Sequence, residues 1–240
     1  MAQQGSTLYL ERQKVRDQIL RSYRLARVGL LAQTAGPTKL AARNDALQEA
    51  QKAQFVRPSR IGANHKEHVA ILVADMRGST QLAKDYEAED IFILMQCLIP
   101  LLAFVASSCN GEVVGLRGDG VIAAFGFGES KWRDFVNRAY EAGMMMIEAT
   151  RDILAPFLIG EEFVPPNAVG VSIDGGSVTM TKIGFGDAVE VTAYGDAVNQ
   201  AAKSCKGSDS LFLSATMNRH LHDETSSNTF TPRRTRLSGK

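Results

Sequence analysis

Over residues 8–32, apolar side chains return at helical spacing. Val15, Ile19, Tyr23, Ala26 and Leu30 form one stripe, while Arg12, Arg16, Arg24 and Arg27 fall largely elsewhere. That spacing predicts an amphipathic helix, stopped by Gly36-Pro37. A second, alanine-rich helix is expected over residues 39–54, and Arg57-Pro58-Ser59-Arg60-Ile61-Gly62 reads as a linker. Residues 1–68 are therefore expected to be an N-terminal helical segment ahead of a domain spanning 69–240. In that domain the period shortens. Residues 69–74 are an unbroken apolar run of strand length ending on Asp75, and Arg77-Gly78-Ser79-Thr80 leads into helical sequence reaching Ser107. Residues 111–117 and 121–127 read as strands joined by the hairpin signal Gly118-Asp119-Gly120. Residues 132–154 read as helix, 169–173, 177–183 and 188–193 as strands, 196–205 as helix and 211–214 as a last strand. The order βα-ββ-α-βββ-α-β predicts an α+β fold with helices packed on one face of a sheet.

Composition adds that the chain can bury a core: 45% of its 240 residues are hydrophobic. Cys97, Cys109 and Cys205 are odd in number and lack CxxC spacing, which points to reduced thiols in a cytosolic protein and away from a zinc site. No basic-apolar signal pattern opens the chain. The most apolar stretch, residues 91–106, is shorter than a membrane span and holds Gln96 and Pro100, so it is expected to be a buried or dimer-facing helix. Of 27 Lys/Arg and 26 Asp/Glu, residues 1–68 hold 12 and 5, so the two parts differ in sign. A solvated helical face, or a contact with the acidic remainder, accounts for the basic part more simply than nucleic acid or membrane does.

The candidate chemistry sits at element ends. Asp75 closes a buried strand and Asp119 tips a glycine-flanked hairpin; if the strands are neighbours, the two carboxylates meet at one edge and suit a hard cation such as magnesium or manganese. Alone, an Asp-Gly turn is more often structural. The segment Met76-Arg77-Gly78-Ser79-Thr80 runs from strand to helix, where free backbone N–H groups and hydroxyls can cradle phosphate, although no GxxxxGK[ST] loop is present. His65 and His68 are expected just ahead of the first strand as solvated or linker residues, Met144-Met145-Met146 as core, and Trp132 as a packing anchor.

Three segments together resemble a known family. VAILVADMRGSTQLA (69–83) and GEVVGLRGDGVIAAFG (111–126) are similar to the two metal motifs of class III adenylate and guanylate cyclases, and GDAVNQAAK (195–203) resembles that family's later G-x-x-V-N-x-A-x-R segment. The resemblance implies the class III nucleotidyl cyclase fold, a ferredoxin-like antiparallel sheet with helices, here with an N-terminal helical extension. It implies two divalent metal ions (manganese or magnesium) on Asp75, Asp119 and the backbone carbonyl of Met76. Arg77, Gly78, Ser79 and Thr80 would bind phosphate. It also implies a head-to-tail homodimer in which Asp75 and Asp119 face the other chain's Thr192, Asn199 and Lys203. Asn199 would orient the ribose, and Lys203, where the family usually has Arg, would stabilise charge without a planar fork.

Departures bear on the base. Purine-selecting members carry Lys or Glu four residues before the second metal Asp, where this chain has Gly115, and commonly Asp or Cys where it has Thr192. Arg117 is expected on the strand face that Gly115 leaves empty, with donors suited to a pyrimidine carbonyl. A surface ion pair accounts for Arg117 equally well. The combination is similar to the pyrimidine nucleotide cyclases of bacterial Pycsar antiphage systems, which implies conversion of UTP, or next CTP, to a 3′,5′-cyclic monophosphate and pyrophosphate in the cytoplasm. The product would be sensed by a separate effector protein, with neither nucleic acid nor stable membrane insertion involved. A purine cyclase with an altered base pocket and an idle cyclase-like nucleotide-binding module remain the alternatives. The tail Arg233, Arg234, Arg236, Lys240 is basic, and Lys240 vaguely resembles a late triphosphate-binding lysine.

Overall fold

The computed structural model describes residues 10–33, 64–185, 188–221, 229–230 and 237–238. The expected helix at 39–54, the Gly36-Pro37 stop, the 57–62 linker and Lys240 lie outside those residues.

The centre of the fold is a long antiparallel pair. Strand β2 (Asn64–Met76) pairs with β5 (Val169–Phe185) from Asn64 opposite Thr181 to Met76 opposite Val169. On the other side β2 pairs with β4 (Gly120–Phe125), which pairs with β3 (Glu112–Arg117). Strand β7 (Ser210–Leu213) lies parallel to the start of β5 and carries β8 (Thr229–Phe230), while β6 (Ala188–Tyr194) pairs with the distal half of β5. The sheet is therefore mixed at one pair, β5 with β7, and otherwise antiparallel.

Alternation in β2 assigns the two faces. Ala70, Leu72 and Ala74 join the main core with helices α3 (Ala88–Ser108) and α4 (Trp132–Ala149). Val69, Ile71 and Val73 join a second cluster with Ala197, Val198, Ala201 and Cys205 at the inner face of α6 (Asp196–Ser204) and just beyond it. Helix α1 (Arg12–Gln33), preceded by the short strand β1 (Leu10–Glu11), buries Val15, Ile19 and Ala26 in the main core. Strand β1 pairs with β9 (Leu237–Ser238).

Several expectations change. Helices cover both faces of the sheet and not one alone, α3 and α4 on one side and α6 on the other, because β2 is apolar at successive positions and so buries both of its faces. Residues 169–173 and 177–183 are not two strands but parts of β5, which runs through Asp174-Gly175-Gly176 without turning. Pairing with β2 extends along the whole segment. Gly175 admits its neighbours, since a Cβ there would fall 2.5 Å from Met217 Sδ and 2.7 Å from the Trp132 ring. Trp132 also packs on Phe135 and stacks on His220, so it is the expected anchor, and Met144, Met145 and Met146 are buried core. His65 and His68 lie inside β2, not ahead of it; His65 contacts Glu67 at the surface.

The expected helix to Ser107 is two helices, α2 (Ser79–Asp85) and α3, because Tyr86 is extended (φ −129°, ψ 158°) and the carbonyl of Glu87 starts α3 afresh. Helix α3 is 21 residues long, longer than the expected apolar stretch, and is long and apolar enough to cross a membrane by length and composition alone. It buries Ile93, Leu94, Leu98, Leu101, Leu102 and Val105 in the main core. Helix α4 runs on through a π turn (Thr150–Leu154) into α5 (Ala155–Gly160). Pro156 has no N–H for the Asp152 carbonyl, which accepts instead from Arg12 of α1 at 3.5 Å. All three cysteines are free and buried, and burial pushes the Cys97 and Cys109 thiols up to about 12, so neither is ionised at neutral pH.

Candidate active site

The end of β2 and the β3–β4 turn meet. Asp75 pairs with Gly120 on one side and with Gly170 on the other, and the Met76 N–H donates to the Asp119 carbonyl at 3.2 Å. The turn residues are Gly118 and Asp119, with Arg117 opposite Gly120. Gly118 at φ +43° supplies the positive φ that a tight two-residue hairpin demands. Gly120 is required for a different reason: a Cβ there would lie 2.4 Å from the Ala74 carbonyl oxygen and 3.0 Å from Asp75 Oδ1.

The expected carboxylate pair thus forms. Asp75 is half-buried, and burial, then a hydrogen bond and charge from Asp119, raise its carboxyl to about 6, while Arg77 pulls the other way. The donor set suits a hard divalent cation: two carboxylates at a sheet edge, destabilised by mutual repulsion that a cation relieves. Among the described residues no group of three or more His, Cys, Asp or Glu comes together, so a cation held here would take only part of its coordination from protein carboxylates. Magnesium and manganese sites beside phosphates are completed by water and phosphate oxygens.

The other expected residues fall into two sets. Gly78, with φ +69°, precedes α2, and Ser79 and Thr80 open that helix; no side chain caps it. The Arg77 guanidinium donates to Asp75 Oδ2 and, at 2.9 Å, to the Cys205 carbonyl. Gly115 and Arg117 pair with Ile122 and Gly120, placing both on the face that bears Asp75, Gly115 buried and Arg117 exposed. A Cβ at Gly115 would meet only Ile122, at 3.7 Å, so the position has room for a side chain.

Thr192 is half-buried in β6 opposite Thr181. Asn199 and Lys203 are exposed, one turn apart on the outer side of α6, and neither hydrogen-bonds Asp75 or Asp119 within the chain. The residues that sequence reasoning missed are Cys205 and Gly170, which frame Arg77. A backbone carbonyl and an absent side chain leave no local signal.

No protein-family profile matches the chain. Of curated proteins, it is 26% identical over 152 residues to "Adenylate cyclase" of Anabaena cylindrica, covering 62% of this chain and 29% of that one. It is 24% identical over 163 residues to "Cytidylate cyclase" of Staphylococcus aureus, covering 66% and 38%. The chain thus spans well under half the length of either relative. Of solved structures, that of the guanylyl cyclase Cya2 superposes with a TM-score of 0.59 at 23% identity, covering 71% of this chain and 87% of that one. The chain has the class III nucleotidyl cyclase fold.

Within this cyclase fold the opposed carboxylates make a stability prediction. A carboxyl whose proton affinity rises on folding costs stability where it is ionised: the cost is full above pH 6 and fades as pH falls towards the unfolded value of about 4. Asp119→Asn removes the opposing charge. Without metal it is expected to melt about 2 °C higher than wild type near pH 7.5, the pair's partial exposure keeping the gain small, and to show no gain near pH 4. Thermal melts in chelator at both pH values check this. A variant that melts lower near pH 7.5 rules out like-charge repulsion at the site.

Proposed function

We propose that the chain is a nucleotide cyclase that converts a nucleoside triphosphate to a 3′,5′-cyclic monophosphate and pyrophosphate. The observation that carries this reading is the Asp75–Asp119 carboxylate pair where β2 ends beside the β3–β4 turn. The named cyclases among the relatives support it. Asp75 and Asp119, with the Met76 carbonyl, would hold two divalent cations, manganese or magnesium. Bound there, the cations supply Lewis-acid activation of the ribose 3′-hydroxyl and neutralisation of the pyrophosphate.

The chain's own residues do the rest. Ser79 and Thr80 at the start of α2, with Gly78, cradle phosphate oxygens. Asn199 and Lys203, exposed on α6, serve a site on the second protomer of a homodimer: Asn199 orients the ribose and Lys203 steadies the charge that grows on the phosphates. Incubating the chain with each of the four nucleoside triphosphates and manganese, and identifying products by mass, tests the reading. No cyclic product from any of them sinks it.

The substrate is proposed to be a pyrimidine nucleotide, UTP ahead of CTP, as a messenger of antiphage defence read by a separate effector. Gly115 presents no purine-reading side chain, Arg117 lies on the same face, and one relative is named a cytidylate cyclase. A purine cyclase is the second reading, favoured by the relative named an adenylate cyclase. A well-aligned charged hydrogen bond to the base is worth about 1.5–3 kcal/mol, roughly ten- to hundred-fold in selectivity. Arg117→Ala is expected to narrow the UTP-to-ATP ratio of kcat/KM by about that factor at fixed manganese. An unchanged ratio removes Arg117 from base reading, and a wild type that prefers ATP removes the pyrimidine assignment.

A further inference from the structure

Arg77 stands two residues after Asp75 and is held from several directions. Its backbone N–H donates to the Ala168 carbonyl at 2.8 Å. Its guanidinium donates through Nη1 to the Cys205 carbonyl at 2.9 Å and through Nη2 to Asp75 Oδ2. The guanidinium lies over Gly170, where a Cβ would fall 3.4 Å from Nε and 3.5 Å from Cζ. Nε itself is buried and has no hydrogen-bond partner. A side chain that leaves a buried donor unsatisfied, yet keeps two planar N–H contacts to separate elements, is fixed by those two contacts.

The consequence falls on Asp75. Its two oxygens are differently placed: Oδ2 is bound by Arg77, while Oδ1 faces the β3–β4 turn beside Gly120. A free aspartate rotates; one whose Oδ2 is pinned presents Oδ1 in one direction. The other guanidinium contact ties the same residue to Cys205, immediately after α6, the helix that carries Asn199 and Lys203. Cys205 is itself anchored, its Sγ lying 3.2 Å from the Gly170 carbonyl oxygen.

We infer that Arg77 is a positioning residue: it holds Asp75 so that Oδ1 and Asp119 together receive a divalent cation, and it locks the end of α6 to that ligand. The inference rests on the metal-site reading of Asp75 and Asp119. It assigns Arg77 to the carboxylate, not to the triphosphate.

Titrating the nucleotide-free full-length chain with manganese, read as loss of the free-ion electron paramagnetic resonance signal, measures metal affinity without turnover. Removing a group that orients a metal ligand costs roughly 10–100-fold in affinity, and Arg77→Ala is expected to weaken manganese binding by that factor. Arg77→Lys keeps the charge but cannot span Asp75 and the Cys205 carbonyl with one planar fork, so it is expected to recover only part of the loss at near-wild-type melting temperature. If Arg77→Ala fails to fold, Arg77→Lys carries the test: several-fold weaker binding supports the inference, and wild-type affinity overturns it. Unchanged manganese affinity in Arg77→Ala with weaker nucleotide binding overturns it in favour of a phosphate contact. Tighter manganese binding overturns it as well, since the guanidinium is then a competitor for the carboxylate. Asp75→Asn separates the two levels. If it binds manganese as wild type does, the metal-site reading falls. If it is defective while both Arg77 variants are not, only the role of Arg77 falls.

Discussion

Asp75→Ala and Asp119→Ala are each expected to cut cyclisation by about a thousand-fold or more while the chain stays folded. Each removes a carboxylate from a polar edge. Asp75 is half-buried at the end of β2 and Asp119 sits in a turn, so neither truncation opens a cavity in the core. Stabilisation of developing phosphate charge by a bound cation is worth several kcal/mol, and each ~1.36 kcal/mol is tenfold in rate, so losing one ligand of a two-carboxylate site reaches a thousand-fold at about 4 kcal/mol. The measurement is turnover at saturating manganese beside a circular dichroism spectrum and melt of the same sample. Near-normal turnover in a folded variant would falsify the assignment of both residues to metal.

The second large effect concerns where the site is built. Asn199 and Lys203 project from the outer side of α6, whose inner side is held to the sheet by Ala197, Val198 and Ala201. In the proposed head-to-tail dimer such outward groups would lie over the carboxylates of the other protomer. Asp119→Ala and Lys203→Ala, each inactive alone, are then expected to regain about a quarter of wild-type activity when mixed equally. Half the dimers are mixed, and each of those has one intact site of two. Exchange of subunits is verified separately by a size or label shift. No recovery after demonstrated exchange places the whole site within one chain.

Much of this arrangement is legible in the residues. The apolar run ending on Asp75 announces a buried strand with a polar end, and Gly118-Asp119 between two apolar stretches announces the hairpin. The amphipathic pattern of residues 196–203 separates an inner face from Asn199 and Lys203. What is not legible depends on partners distant in sequence. Asp174-Gly175-Gly176 carries a local turn signal, yet Val69, Ala70 and Ile71 pair along it, and Met217 and Trp132 fill the space Gly175 leaves. Likewise residues 64–68 are strand because β5 is long enough to pair with them, which nothing in their own sequence declares. Arg77 shows the same limit at the site: nothing in its neighbours Gly78 and Ser79 declares that its guanidinium contacts a carboxylate two residues back and a carbonyl after α6.

The pairing of β3 with β4 shifts between Val113, opposite Ala123, and Gly115, opposite Ile122, so Val114 is an extra residue in β3. Val113 belongs to the main core while Val114 packs in the cluster beneath α6. With Val114 removed, Val113 opposite Ala123 would be followed directly by Gly115 opposite Ile122, so the pairing would become regular and Gly115 and Arg117 would stay on the face of Asp75. What the extra residue adds is a second inward valine, placed beneath α6 next to Val113 in the main core, together with the stronger local twist of a bulged strand. One inserted residue thus lets a single short strand feed the cores on both sides of the sheet at the same level, and a deletion there would be felt as a cavity beneath α6 and a straighter hairpin.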